Sequence, residues 1–384
     1  LYFTNAFSSV DGTIVSLRTI FHSIYPTKVG NRKKLTLKEN NLFEIFKKNG
    51  YSINGLVPDL KGFSEYVNNF ENEKKTYEYW NYMGKMDKFL TSTPSSITDK
   101  IIEFLKTNES NNPWFYYVHM MTLHPLKEYF ANHKNEENML NLGLKDFDKV
   151  EFGAGLYERT VSFIDFQLGK ILENIDLENT LVVLTADHGQ SIPFEGSSEV
   201  DFQPKLENAV TVGKKILPKS AHKMGGKFLY NIRKSVGKRK LEKANKTLTN
   251  YEKRSRDPYF TLSLFDELIH VPLLFVGTSI NSQIISKQVR HVDICSTIYD
   301  LLGIVEENTK QGKSLTSTDH NLEKNIQYLH TMPYQKLSDK DMVGIRTEDY
   351  KYFRFARDSN ENVHLYDLKE DPYENENIAE QNKE

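Results

Sequence analysis

Asp187 and His188 are neighbours in the stretch Thr185-Ala186-Asp187-His188-Gly189, which follows the apolar run Leu181-Val182-Val183-Leu184. An adjacent carboxylate and imidazole can both reach one cation. Gly189 lets the backbone turn away at once, because it has no Cβ to clash. An apolar run without polar alternation predicts a strand over 180–185 that is covered on both faces, as in the centre of a parallel sheet. Ligands of open α/β sheets bind beyond the carboxyl ends of the strands, so the pair stands where a site belongs. Two readings stay open at this point. Asp187 and His188 hold a metal, or Asp187 caps the following turn and His188 packs.

The elements that must position this pair are legible as periodicities. Residues 41–50 have the apolar spacing of a helix that stops at Gly50, and residues 51–57 predict a short strand. Residues 96–107 and 157–175 read as amphipathic helices, the second with Val161, Ile164, Leu168, Ile171 and Leu172 on one face. Residues 114–121, after Pro113, and 271–276 read as buried strands, the latter like 180–185. Alternating helices and strands predict an α/β fold, a mostly parallel sheet flanked by helices. After Gly303 the pattern changes: 344–346, 350–355 and 363–367 are short strand-like runs separated by polar turns. They predict a small C-terminal antiparallel subdomain at 316–384, behind a catalytic domain at 1–315.

A net charge of −2 hides a segregation. Residues 214–256 contain 15 Lys and Arg against Glu242 and Glu252, so an acidic body carries a basic insertion, placed at 204–258. An apolar fraction of 38% excludes wholesale disorder. A single cysteine, Cys295, excludes an internal disulfide. No run of 18 apolar residues exists, because Asp266, Glu267 and His270 interrupt the best candidate. Leu1-Tyr2-Phe3 reads as the entry to a strand in mid-domain, so an upstream piece is expected, with any signal or anchor in it.

The stretch 181–189 resembles the metal-binding strand end of the alkaline phosphatase/sulfatase superfamily. Four further segments are similar to that family in the same order: 264–275, His291-Val-Asp-Ile-Cys-Ser-Thr-Ile-Tyr-Asp-Leu-Leu-Gly303, Tyr350-Lys-Tyr and 365–377. The resemblance implies an alkaline-phosphatase-like fold and a metal-dependent hydrolase of sulfate or phosphate esters. Counting back from Tyr25-Pro26, it puts Thr13 in the nucleophile position, where sulfatases carry a Cys or Ser that becomes formylglycine. Thr cannot be so oxidised, but its hydroxyl can attack phosphorus once a metal lowers its pKa, which brings phosphotransferase or phosphodiesterase chemistry into view. His124-Pro125 resembles the family's substrate-contacting step, and His124 is expected to donate to the transferred group or the leaving oxygen. His119 is the weaker choice, expected inside the strand, and Asp165 is read as structural.

The implied site is therefore Thr13 and His124 as catalytic residues, with Asp187, His188 and Thr13 on one or two divalent cations, Ca, Mn, Mg or Zn. The sequence departs from the family pattern in three places. The acidic pair that completes the metal site is expected upstream of Leu1. The Lys-x-His element after Gly50-Tyr51 is absent, and 259–263 lacks the usual His or Lys, for which His222, Lys223 or Lys227 of the basic insertion are the candidate replacements. The expected partner is an anionic ester, a cell-surface glycan or a lipid, rather than nucleic acid. The insertion or an upstream anchor offers membrane association, so an extracytoplasmic or membrane-anchored location is favoured. A catalytically inactive glycan-binding relative is the non-enzymatic alternative.

Overall fold

The structure, a computed structural model, describes residues 1–26, 41–77, 94–108, 112–124, 156–190, 245–256, 263–277, 280–305, 310–316, 325–331 and 339–382. His222, Lys223, Lys227 and most of the basic insertion lie outside the described residues.

Three sheets organise these residues. Strand β1 (Tyr2–Phe7) is followed by β2 (Ser52–Pro58), β3 (Thr76–Tyr77), β4 (Trp114–Val118), β5 (Val182–Thr185) and β6 (His270–Val276). Then come β7 (Ile284–Ile285), β8 (Val289–Arg290), β9 (Gln327–His330), β10 (Met342–Arg346), β11 (Tyr350–Phe355) and β12 (His364–Asp367). The first sheet has the order β5-β6-β1-β7, with β8 also on β1; the second is β3-β2-β4, and the third is β12-β11-β10-β9. Helices pack among them, so the α/β class and the C-terminal antiparallel sheet are both present.

Pairing is parallel in the second sheet and mixed in the first. β2 pairs in parallel with β3 and β4, and β1 pairs in parallel with β7 and β8. β6, however, runs antiparallel to both β1 and β5. Residues 180–185 and 271–276 are thus strands as expected, but they pair with each other antiparallel rather than as members of a parallel set. Nor is β5 a central strand covered on both faces: among the described residues it ends the first sheet, and Val182–Thr185 are half-buried, because an apolar run specifies neither strand direction nor place in the sheet. β6 in fact alternates, with His270 and Pro272 exposed and Val271, Leu273 and Phe275 buried. The consequence matters for the site. Because β6 reverses between them, β1 and β5 run in the same direction and deliver their carboxyl ends to one edge.

Local chemistry sets the element ends. The Leu42–Lys48 helix starts at Asn41, whose side chain accepts from the Glu44 amide at 3.1 Å. Gly50 follows it with φ +81°, the left-handed conformation that ends many helices. Helices Pro94–Thr107 and Leu156–Leu172 match expectation to within three residues. They cover β2 and β4 through a cluster of Leu56, Tyr77, Ile97, Ile101, Met121 and Ile171. The main core joins β1, β2 and β6 to the helices Thr13–His22, Leu42–Lys48 and His291–Leu301, with Phe3, Phe21, Phe43, Phe46, Phe275 and Tyr299 at its centre. A third cluster, including Phe7, Phe265, Leu329, Phe353 and Tyr366, seats the C-terminal sheet on the short helix Asp266–Ile269.

Candidate active site

β1 ends at Phe7, and after five residues the chain enters the Thr13–His22 helix with Gly12 as its N-cap. Thr13 is the first helical residue, so its hydroxyl projects beside the unpaired amides of the first turn. β5 ends at Thr185 and hands the chain to Asp187 and His188. The two strand ends meet. Thr13 Oγ1 lies 3.3 Å from His188 Nε2, although 175 residues separate them.

The tautomer of His188 follows from its second contact. His188 Nδ1 is 2.7 Å from the Gly189 carbonyl oxygen, which can only accept. In the neutral ring Nδ1 therefore carries the proton, and Nε2 turns a lone pair toward Thr13. Asp187 completes the group, with Oδ2 3.5 Å from His188 Nε2. Burial alone would push Asp187 up. His188 and His119, together with donors from the Thr13 hydroxyl and the His188 amide, outweigh it and hold the carboxyl below its ordinary range.

Two clamps fix this strand end. The Gly189 amide donates to the Leu268 carbonyl at 2.8 Å. A Cβ on Gly189 would stand 2.4 Å from the Glu267 carbonyl oxygen, so only glycine permits this approach. On the other side, the Ser16 hydroxyl donates to the Asp187 carbonyl and lies 3.1 Å from His291 Nδ1. His291 is fully buried, and burial, against the pull of Asp187 and the Ala186 backbone, pushes its imidazole down to about 4.

β4 brings up the remaining histidines. His119 is the first residue past β4 rather than within it, buried against the Phe63 ring with Nδ1 2.9 Å from the Tyr117 hydroxyl. Burial, with His188 and His124 nearby, lowers its pKa against the attraction of Asp187. His124 is exposed and forms a turn, its amide donating to the Met121 carbonyl at 3.1 Å. Gln190 Nε2 reaches the His124 carbonyl at 3.4 Å, which ties the two loops together. Desolvation and His188 lower the His124 pKa, with Asp187 opposing.

The structure thus brings together Thr13, Asp187 and His188, with His119 and His124 close enough to feel their charges. Among the described residues, no group of three or more His, Cys, Asp or Glu side chains is arranged to hold a metal ion. Arg18, the arginine one place beyond the family's spacing, donates to Glu65 at 3.0 Å. Asp165 lies on the Leu156–Leu172 helix. Sequence reasoning missed Ser16, Gln190 and His291. Ser16 had a signal, its three-residue spacing from Thr13 on one helix face; the other two had none.

A family model described as sulfatase matches residues 1–304, most of the chain. The chain belongs to the sulfatase family. A second model, N-sulphoglucosamine sulphohydrolase, C-terminal, matches residues 259–384. Among curated relatives, arylsulfatase K of Bos taurus is 30% identical over 130 residues, covering 32% of this chain and 24% of that protein. The delta 4,5-hexuronate-2-O-sulfatase of Bacteroides thetaiotaomicron is 31% identical over 128 residues, 31% of this chain and 26% of that protein. These matches therefore span about a quarter of each relative's length. Two solved structures share the fold across 100% of this sulfatase-family chain. One, in complex with its substrate D-glucosamine-2-N,6-O-disulfate, has a TM-score of 0.55 at 16% identity over 87% of its own chain. The other, a 2-O GAG sulfatase, has a TM-score of 0.57 at 16% identity over 80% of its chain.

Proposed function

We propose that this chain is a metal-assisted hydrolase of sulfate or phosphate esters, in which Thr13 is the nucleophile, Asp187 and His188 hold the cation and His124 serves the leaving group. The observation that carries the reading is the approach of Thr13 Oγ1 to the His188 Nε2 lone pair at 3.3 Å, beside the Asp187 carboxyl. A carboxylate kept ionised, an inward lone pair and a hydroxyl oxygen form one side of a divalent cation site. Ca, Mn, Mg and Zn all accept such donors, and the family generally uses a divalent cation. Bound there, the cation would make the Thr13 hydroxyl easier to ionise and offset charge on the transferred group.

The chain's own residues do the rest. Thr13 gives its proton to water, and its Oγ1 forms a bond to phosphorus or sulfur as the bond to the ester oxygen breaks. His124, when protonated, gives that departing oxygen its proton, and the lowered pKa makes it the readier acid. Water then cuts the Thr13 ester and restores the hydroxyl. Amides of the first turn of the Thr13–His22 helix face the anionic group and favour it.

Relatives whose names specify a hexuronate-2-O-sulfate or a glucosamine disulfate support an anionic sugar ester as substrate. Thr13 itself favours a second reading, phosphoryl transfer or phosphodiester cleavage on a glycan or lipid. A simple Thr ester has no second hydroxyl on the same carbon to expel sulfate, whereas direct attack on phosphorus needs only one. Assays with p-nitrophenyl sulfate, phosphate and a phosphodiester, with each cation and with EDTA, separate these outcomes. Turnover that EDTA abolishes and one cation restores is expected. Polyanion binding with no cleavage of any ester would instead favour a glycan-binding scaffold.

A further inference from the structure

Ser16 lies one helical turn after Thr13, so both side chains project from the same face of the Thr13–His22 helix. It is fully buried, as are Ser8 and His291 beside it. Its proton is committed, because the Asp187 carbonyl it faces can only accept. Toward His291 Nδ1, 3.1 Å away, the Ser16 oxygen must then act as acceptor. Nδ1 of His291 therefore carries the ring proton. Ser8 Oγ lies 3.2 Å from Ser16 Oγ and 2.7 Å from the Val10 carbonyl. Whichever of the two its proton serves, the Ser16 oxygen still accepts from His291.

We infer that Ser16 and His291 are positioning residues, which fix the Asp187–His188 peptide against Thr13 through a directed chain from His291 Nδ1–H to Ser16 Oγ to the Asp187 carbonyl. The inference rests on the reading of Thr13, Asp187 and His188 as the reactive centre. Its physical logic is that of a brace. The nucleophile and the ligand pair arrive on different strands, β1 and β5, with β6 between them. Ser16 bonds the helix carrying one to the strand end carrying the other. His291 starts the His291–Leu301 helix, which packs on the Thr13–His22 helix, so the far end of the chain is anchored in the core. A donor aimed at the carbonyl of a ligating residue fixes the direction of that residue's side chain, as outer hydrogen bonds do in other cation sites.

The test compares Ser16→Ala, His291→Asn and His291→Gln in the whole chain, with circular dichroism to confirm folding. Asparagine puts an amide N–H near the position of Nδ1, and glutamine puts one near Nε2. Ser16→Ala and His291→Gln should lower kcat on the ester the enzyme turns over best by roughly 10–100-fold, with KM little changed, and His291→Asn should recover most of it. Two readouts need no turnover: Mn²⁺ affinity by calorimetry, and ring-nitrogen NMR of histidine-labelled protein without cation. The wild type should show His291 protonated on Nδ1, and Ser16→Ala should shift the His188 ring nitrogens and weaken Mn²⁺ by a similar factor. A His291 protonated on Nε2 in the wild type overturns the inference. So do unchanged His188 resonances and Mn²⁺ affinity in folded Ser16→Ala, or equal loss in the two His291 variants. Turnover that survives Thr13→Ala would defeat the nucleophile reading instead, and the NMR result would still decide the brace.

Discussion

Two clusters of charged and polar side chains adjoin the short helix Asp266–Ile269, one through Asp266 and the other through the Leu268 carbonyl that holds Gly189, and they are built on different principles. In the first, Lys351 is fully buried with Nζ 2.7 Å from both Asp266 Oδ1 and Glu374 Oε1. Arg346 Nη2 reaches Asp266 Oδ2 at 2.9 Å, and the Asp266 amide donates to Glu374 Oε2 at 2.7 Å. Two cations meet two carboxylates, and the guanidinium of Arg346 lies 3.6 Å from the Phe7 ring centroid. In the second, Asp187, His188 and Thr13 converge as half-buried groups, His188 Nε2 lying 3.3 Å from Thr13 Oγ1 and 3.5 Å from Asp187 Oδ2. The first cluster closes on itself and locks the C-terminal sheet to the core. The second leaves donors over. A sealed network is the mark of architecture, and a convergent but incomplete one is the mark of chemistry.

The sharpest way to break this contrast is Asp187→Asn. It should cut turnover by roughly 10²-fold or more, because the neutral amide no longer draws in a cation. Thermal midpoint should hold or rise, since a half-buried carboxylate with only partial pairing is removed. A fall in melting temperature large enough to explain the lost activity would place Asp187 in the architecture instead.

Lys351→Met reverses the pattern. It leaves the Asp266 and Glu374 carboxyls buried without their shared cation, at a cost of about 3–5 kcal/mol in denaturant unfolding. A cost under about 1 kcal/mol would show that the cluster is wetter than its geometry.

Glu374 also gives the sealed cluster a pH signature. Burial and the Asp266 charge raise its pKa from the ordinary 4.5 to about 7, against the attraction of Lys351. The folded state thus keeps a proton that the unfolded chain releases. This contribution is complete below pH 4.5 and is lost as pH rises through about 7. Wild-type stability should therefore fall across that window relative to Glu374→Gln, measured by urea midpoints. Parallel curves would refute the shift. The smallest effect belongs to neither cluster: Lys74 and Glu103 form a well-exposed pair at 2.7 Å, and Lys74→Ala should cost no more than about 1 kcal/mol.

Much of this arrangement was legible in the sequence where the signal is local. The helix at Leu42–Lys48 announced itself by its apolar spacing and Gly50. β5 was plain as an apolar run and β11 as a short aromatic run between polar turns, and Asp187-His188-Gly189 stood out at a strand end. What escaped was relational. β6 is as apolar as a parallel strand, and nothing local encodes that it reverses between β1 and β5. β9 escaped because Gln327–His330 is short and mixed in character, yet it bonds the loop before Thr13 through the Ser9 carbonyl at 2.9 Å and the Ser9 hydroxyl at 2.8 Å. Ser16 and His291 are 275 residues apart, and their contact exists only in three dimensions. Thr13 became visible through family resemblance, since one Thr ahead of a helix carries no catalytic signal of its own.

The proposed chemistry turns on Thr13. Its most direct test is turnover of p-nitrophenyl phosphate, phosphodiester and sulfate by wild type, Thr13→Ala and Thr13→Ser, each with the activating cation and confirmed as folded. Alanine should abolish turnover, by about 10³-fold or more, and serine should restore a measurable part of it, because a hydroxyl returns within reach of His188 Nε2. Thr13→Ala at wild-type rates, with cation dependence intact, would contradict the central claim and move the attacking group elsewhere.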